Sequence, residues 1–178
     1  MGGALKSKLD PSLFLFRDGD GKVDGFIGVH VDDDSITGSE RFFTEVVEKL
    51  KKKFVYGKWH TANRPGESFE HCGKTISRGH DGRVIASQKN YALSMEHIHL
   101  DTARRRNPNA TATLKERNAL RSACGKLSWI VRGTRPDLAF RKAVLQHAYN
   151  DPNMKIKVIL DHNRLVNDAK RDTFPDHR

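Results

Sequence analysis

The chain is predicted to be an α+β protein, with strands and one helix early and helices late. Three observations carry this. Short apolar runs flank Asp18-Gly19-Asp20-Gly21. A three- and four-residue apolar period begins after Gly38. Longer helical patterns with few β-branched runs follow Lys89. A length of 178 residues suits one domain, or one domain with a small satellite, and is enough to bury a core.

The elements follow in order. Ser12 to Phe16 is a short apolar strand candidate and Val23 to Val31 a second. The Asp-Gly pairs between them are turn chemistry, so the two runs predict a hairpin. A calcium-loop reading of the same pairs fails. Aligning Gly21 with that loop's glycine puts Phe16 and Ile27 where carboxylates are required. Next comes Asp32-Asp33-Asp34, then Ser35-Ile36-Thr37-Gly38. A strand turning at its tip would hold these carboxylates side by side, where their repulsion calls for a cation. Taken alone, the triplet fits an acidic surface turn equally well.

Phe42, Phe43, Val46, Val47, Leu50 and Phe54 then recur at helical spacing, with Ser39 placed to cap the start. A loop carrying Gly57, Pro65 and Gly66 leads to strand candidates Ser68 to Arg78 and Arg83 to Ser87, joined by Gly79-His80-Asp81-Gly82. From Lys89 the pattern is helical, broken by a linker from Arg104 to Thr113. Leu120, Ala123, Cys124, Leu127 and Ile130 share one face of a helix that Gly133 should stop. Pro136 suits the first turn of another helix, running to about Tyr149. This divides the chain into 10–88, 89–150 and an unassigned tail, 151–178.

Charge narrows the function. Thirty-two Lys and Arg against 22 Asp and Glu give a net charge of +10, which attracts polyanions, nucleic acid foremost. The acidic residues Asp18, Asp20, Asp24 and Asp32 to Asp34 crowd the first fifth. Lys51 to Lys53, Arg104 to Arg106, Arg132, Arg135, Arg141 and Lys142 dominate later. A local acidic cluster on a basic body suits a metal site that works on a phosphate backbone, although Lys51 to Lys53 equally suit a solvated helix end. No stretch approaches the roughly 18–20 apolar residues of a membrane span. Cys72 and Cys124 lie far apart and read as reduced thiols of an intracellular protein, cytoplasmic or nuclear. His60, His71, Cys72 and His80 fit no closed zinc pattern. His97 and His99 diverge on a helix and read as surface residues. Trp59 and Trp129 could stack on bases, although Trp129 in its helix is expected, like Cys124, to be core.

Val31-Asp32-Asp33 with Ile36-Thr37-Gly38 resembles the metal-binding turn of copia-type retrotransposon reverse transcriptases. Further segments resemble that family in the same order. Phe69 with Cys72-Gly73 is similar to the strand that begins its primer-grip hairpin. Ile85, Gln88 and Tyr91 are similar to its entry to the thumb. Gly125 to Trp129 and Gly133 to Ala139 are similar to two later helical segments. The resemblance covers roughly Asp10 to Tyr149. It implies a partial palm of antiparallel strands with one packed helix, then a helical thumb-like region.

The resemblance also implies two-metal nucleotidyl transfer on an RNA or DNA template–primer with deoxynucleotides. Asp32 would be the principal ligand of Mg²⁺ or Mn²⁺, and Asp33 its less essential neighbour. Cys72, Gly73 and Lys74 would lie near the primer strand, and Arg132, Arg135 and Arg141 would contact template–primer. For each arginine, a surface role, or for Arg135 a helix cap with Asp137, is an equal alternative. His30 stands where the family has an aromatic. About a dozen residues precede Leu13, and Asp10 is too close to the next strand to serve as the third carboxylate. The fingers and that ligand are therefore expected to be missing, and the chain is expected not to polymerise by itself. A basic nucleic-acid-binding module without catalysis is the other reading.

Overall fold

The computed structural model describes residues 4–171. They form two compact units that divide between Trp59 and His60.

The first unit is one antiparallel sheet backed by one helix. Strands β1 (Leu5–Lys6), β2 (Leu13–Arg17), β3 (Val23–His30) and β4 (Asp33–Gly38) lie in sequence order. Asp18 forms the β2–β3 turn by accepting from the amides of Asp20 and Lys22 at 3.0 and 2.8 Å. The register pairs Phe14 with Ile27 and Ile27 with Ile36, so these side chains share one face. The helix α1 (residues 40–53) covers that face. It starts as α-helix, runs as π-helix over Phe43–Val47 and ends as α-helix over Glu48–Lys53. The predicted cap is present: the Ser39 hydroxyl accepts from the Phe42 amide at 3.1 Å. Asp24 holds that cap through the Ser39 hydroxyl and pairs with Arg41 at 2.9 Å.

Ile27, Phe42 and Val47 form the buried centre, flanked by Phe14, Phe16, Ile36, Phe43, Val46 and Leu50. Phe42 is the keystone, and burying it is worth about 2–3 kcal/mol. Its ring packs 5.0 Å from that of Phe16 and lies directly on the paired glycines Gly25 and Gly38. A Cβ on Gly25 would come 2.5 Å from the ring. Phe54 differs from the expectation. Its backbone is extended and its side chain exposed, because the helix ends at Lys53.

The second unit begins with a three-stranded meander of β5 (Ser68–His71), β6 (Lys74–Arg78) and β7 (Val84–Ser87). The single strand expected over Ser68 to Arg78 is instead a hairpin. His71 pairs with Lys74 around Cys72-Gly73, and both turn residues have positive φ, 48° and 68°. Positive φ at both central positions defines a type I′ turn, whose twist matches the strands. The other helices are α2 (Lys89–Ser94), α3 (Thr102–Arg106), α4 (Leu114–Gly133), α5 (Ala139–Ala148) and α6 (Ile156–Lys170). Pro136 opens a 3₁₀ turn, Pro136–Leu138, just before α5.

The core of this unit joins α4 to α6. Leu120, Cys124, Leu127 and Ile130 meet Ile156, Ile159, Leu165 and Val166. Cys124 is core as expected, and burial pushes its thiol up to about 11. Trp129 is not core: its residue is 45 % exposed. The α4 start is a full capping box of Thr113 and Glu116, reinforced by Arg104, which grips Glu116 at 2.7 and 2.9 Å. The segment 151–170, unassigned by sequence, supplies α6. His162 sits fully buried on its inner face, and burial lowers its pKa. The meander belongs with these helices and not with the first sheet, since Gln88, Lys74 and Gly73 all pack against α4 and its end.

Candidate functional site

The acidic turn is built by the β3–β4 hairpin. His30 pairs with Asp33, which leaves Val31 and Asp32 as a two-residue turn. Val31 has φ of 56° and is 89 % exposed. Positive φ at the first central residue alone is the type II′ signature, which favours glycine. A β-branched residue there costs about 1–3 kcal/mol, and such backbone strain concentrates at functional sites.

Alternation along β4 separates the three carboxylates. Asp33 shares a sheet face with Ser35 and Thr37, while Asp34 shares the face of Ile36. Asp34 is also engaged, accepting from the Tyr56 hydroxyl at 3.1 Å. Partial desolvation of that phenol, and then its hydrogen bond to Asp34, raise its pKa. Asp32 and Asp33 remain as an exposed adjacent pair beside an exposed His30. Exposure alters the repulsion argument. Two carboxylates about 5 Å apart in bulk water repel by only about 1 kcal/mol, so this turn alone does not require a cation.

The donor set has the right chemistry for a hard cation but falls short in number. Mg²⁺ commonly takes one or two carboxylates and completes its shell with water and substrate phosphates. Asp32 and Asp33 meet the first requirement. Among the described residues, no group of three or more His, Cys, Asp or Glu side chains is disposed to hold a metal ion. Asp18 and Asp24, two of the acidic residues crowding the first fifth, serve the β2–β3 turn and the α1 cap instead.

In the second unit the predicted primer-side residues cluster at one hairpin tip. Cys72 and Gly73 form the turn, and the Cys72 sulfur lies 3.4 Å from His71 Nε2. A Cβ on Gly73 would sit 3.6 Å from the Trp129 indole. Lys74 runs toward Gly133, next to the exposed Arg132. The structure thus brings Cys72, Gly73 and Lys74 to the C-terminal half of α4.

The arginines part company. Arg135 is only 8 % exposed. Its guanidinium grips Asp137 at 2.8 and 2.9 Å and donates to the carbonyls of Asp168, Ala169 and Arg171 at 3.0–3.2 Å. It caps the C-terminus of α6, where the helix leaves carbonyls without partners. The fold thus engages this guanidinium as a helix cap, the alternative that the sequence left open. Arg141 is half-exposed and pairs with Asp168 at 2.6 Å.

Sequence reasoning offered Trp59 as a base-stacking candidate and Lys51 to Lys53 as a basic run, but did not join them into the one surface that follows α1. Lys51 Nζ lies 4.2 Å from the centre of the Trp59 ring, and Tyr56 meets Trp59 edge-on at 5.7 Å. The signal was present as aromatics interleaved with lysines from Lys51 to Trp59.

Against known protein families, curated proteins and solved structures, the chain gives no match.

Proposed function

We propose that the chain carries part of a reverse transcriptase of the copia retrotransposon type, with Asp32 and Asp33 as carboxylate ligands at its metal site. The observation that carries the reading is the strained turn, which presents two adjacent carboxylates at the tip of a helix-backed antiparallel sheet. In this reading Asp32 is the principal ligand, Asp33 its neighbour, and His30 the residue beside the primer end. Mg²⁺ or Mn²⁺, when bound, acidifies an attacking hydroxyl and offsets charge on a leaving pyrophosphate. Lys74 and Arg132 are the basic side chains that this reading assigns to a template–primer. Among the described residues no third carboxylate joins Asp32 and Asp33, and two do not close a two-metal site, so the chain is proposed to bind cation and nucleic acid without extending a primer.

Thermal unfolding in Mn²⁺ or Mg²⁺ tests the site. At a cation concentration ten times Kd, the native chain should gain about 1.4 kcal/mol, and a variant with Asp32→Ala and Asp33→Ala should gain none. An equal response in both would remove the metal site. Primer extension by the isolated chain would overturn the claim of inactivity. The net charge of +10 favours one second reading, a basic nucleic-acid-binding module without catalysis. Its mark is affinity for a primer–template duplex that falls steeply with salt and ignores divalent cations.

A further inference from the structure

We propose that the first unit carries a separate binding site for single-stranded nucleic acid, formed by the lysines that end α1 and the aromatics that follow them. An open groove of about 610 Å³ lies there, with Lys51, Lys52, Lys53, Phe54, Tyr56 and Trp59 in its lining. Basic residues in a last helical turn have an ordinary explanation, since they complement the helix dipole. That explanation does not account for the aromatic side chains beside them.

Trp59 is held in the open rather than tucked away. The residue is 39 % exposed, with the Lys51 ammonium 4.2 Å from the ring centre and the Tyr56 ring edge-on at 5.7 Å between centres. Phe54 is more exposed still, at 54 %. Tyr56 is in turn tied to β4 through its hydroxyl on Asp34, 3.1 Å away. The segment after the helix is therefore fixed to the sheet, and its aromatics are presented on a set surface. A π-face beside ammonium groups matches a ligand that alternates bases with phosphates. The base stacks on the exposed part of the indole; Lys51 is already paired with Glu48 at 2.9 Å and seated over the ring, so Lys52 and Lys53 meet the flanking phosphates. A duplex keeps its bases stacked on each other, so the occupant is a single strand.

This site uses neither Asp32 nor Asp33, so it stands or falls apart from the metal turn. The test titrates the full chain with a twelve-nucleotide oligothymidylate and reads tryptophan fluorescence. Controls are an abasic strand of equal length and a twelve-residue polyglutamate. Oligothymidylate should quench the emission and bind about tenfold or more tighter than the abasic strand, the span expected for one stacked base. Trp59→Phe should lose most of the quenching, leaving only what Trp129 reports. Trp59→Ala should weaken oligothymidylate about tenfold and leave the abasic strand unchanged. Lys52→Gln and Lys53→Gln together should flatten the salt dependence by about 1.4 in slope, with the far-UV spectrum of the native chain. Equal affinity for the two strands, full quenching in Trp59→Phe, or tighter binding of polyglutamate would each overturn the proposal.

Discussion

Replacing Glu116 by Gln should reveal how far the second unit rests on one carboxylate. Glu116 accepts from Arg104 at 2.7 and 2.9 Å, from the Thr113 amide at 2.7 Å and from the Thr113 hydroxyl at 2.9 Å. The Arg104 guanidinium, opposed by partial desolvation and helped by Thr113, holds the carboxyl at about 2 against an ordinary 4.5. That preference for the ionised form corresponds to about 3 kcal/mol. The side chains of Arg104 and Glu116 are 28 % and 16 % exposed, so solvent screens part of it, and a net loss of about 1–2 kcal/mol is expected at pH 7. Gln keeps the neutral arm of the capping box, so the variant isolates the charge. Because folding depresses this pKa, the contribution is complete above pH 4.5 and fades as pH falls toward 2. Urea unfolding followed by far-UV circular dichroism should show the gap between native and E116Q chains at pH 7 shrinking by about half at pH 3. A gap below about 0.5 kcal/mol at pH 7 would refute the assigned role, as that is the level of an ordinary exposed ion pair. A gap that persists undiminished at pH 3 would show that it does not come from the ionised carboxylate.

Other outcomes follow from the same reasoning. Arg135→Lys keeps the charge but cannot serve Asp137 and three carbonyls together, so chemical denaturation should show a loss of about 2–3 kcal/mol. Unchanged stability would return Arg135 to the surface role that the sequence allowed. Gly38→Ala drives a methyl into the Phe42 ring and the Asp24 carbonyl, and should destabilise the first unit by about 1–3 kcal/mol in thermal unfolding. An unaltered melting temperature would mean that the ring is not seated on the glycine pair.

The early elements were legible because local chemistry and period agree there. Asp18 and the Asp-Gly pairs specify a turn, Ser39 specifies a cap, and Phe42 to Leu50 specify one face. The same held for α4, whose apolar stripe ends near Gly133. The Cys72-Gly73 hairpin was not legible, since cysteine is an unusual type I′ residue. Nor was α6, whose stripe is interrupted by His162. A histidine joins an apolar face only when the partner surface that buries it is known. Trp129 misled in the opposite sense: it lies beside the buried stripe of Leu120, Cys124, Leu127 and Ile130 and yet stays largely exposed.

By itself the sequence determined an α+β chain with a net positive charge and an acidic turn after β3. Those are properties of residue type and spacing, and they need no partner surface. Tertiary structure decided which polar groups are spoken for. Asp18, Asp24, Asp34, Arg135 and Arg141 all have partners in the fold, and those partners lie up to 36 residues away. A charge is available for a ligand only when no nearer group has claimed it, and spacing along a chain carries no record of that competition. The acidic turn accordingly narrows to Asp32 and Asp33, and the aromatic surface at Trp59 emerges as a second place to look.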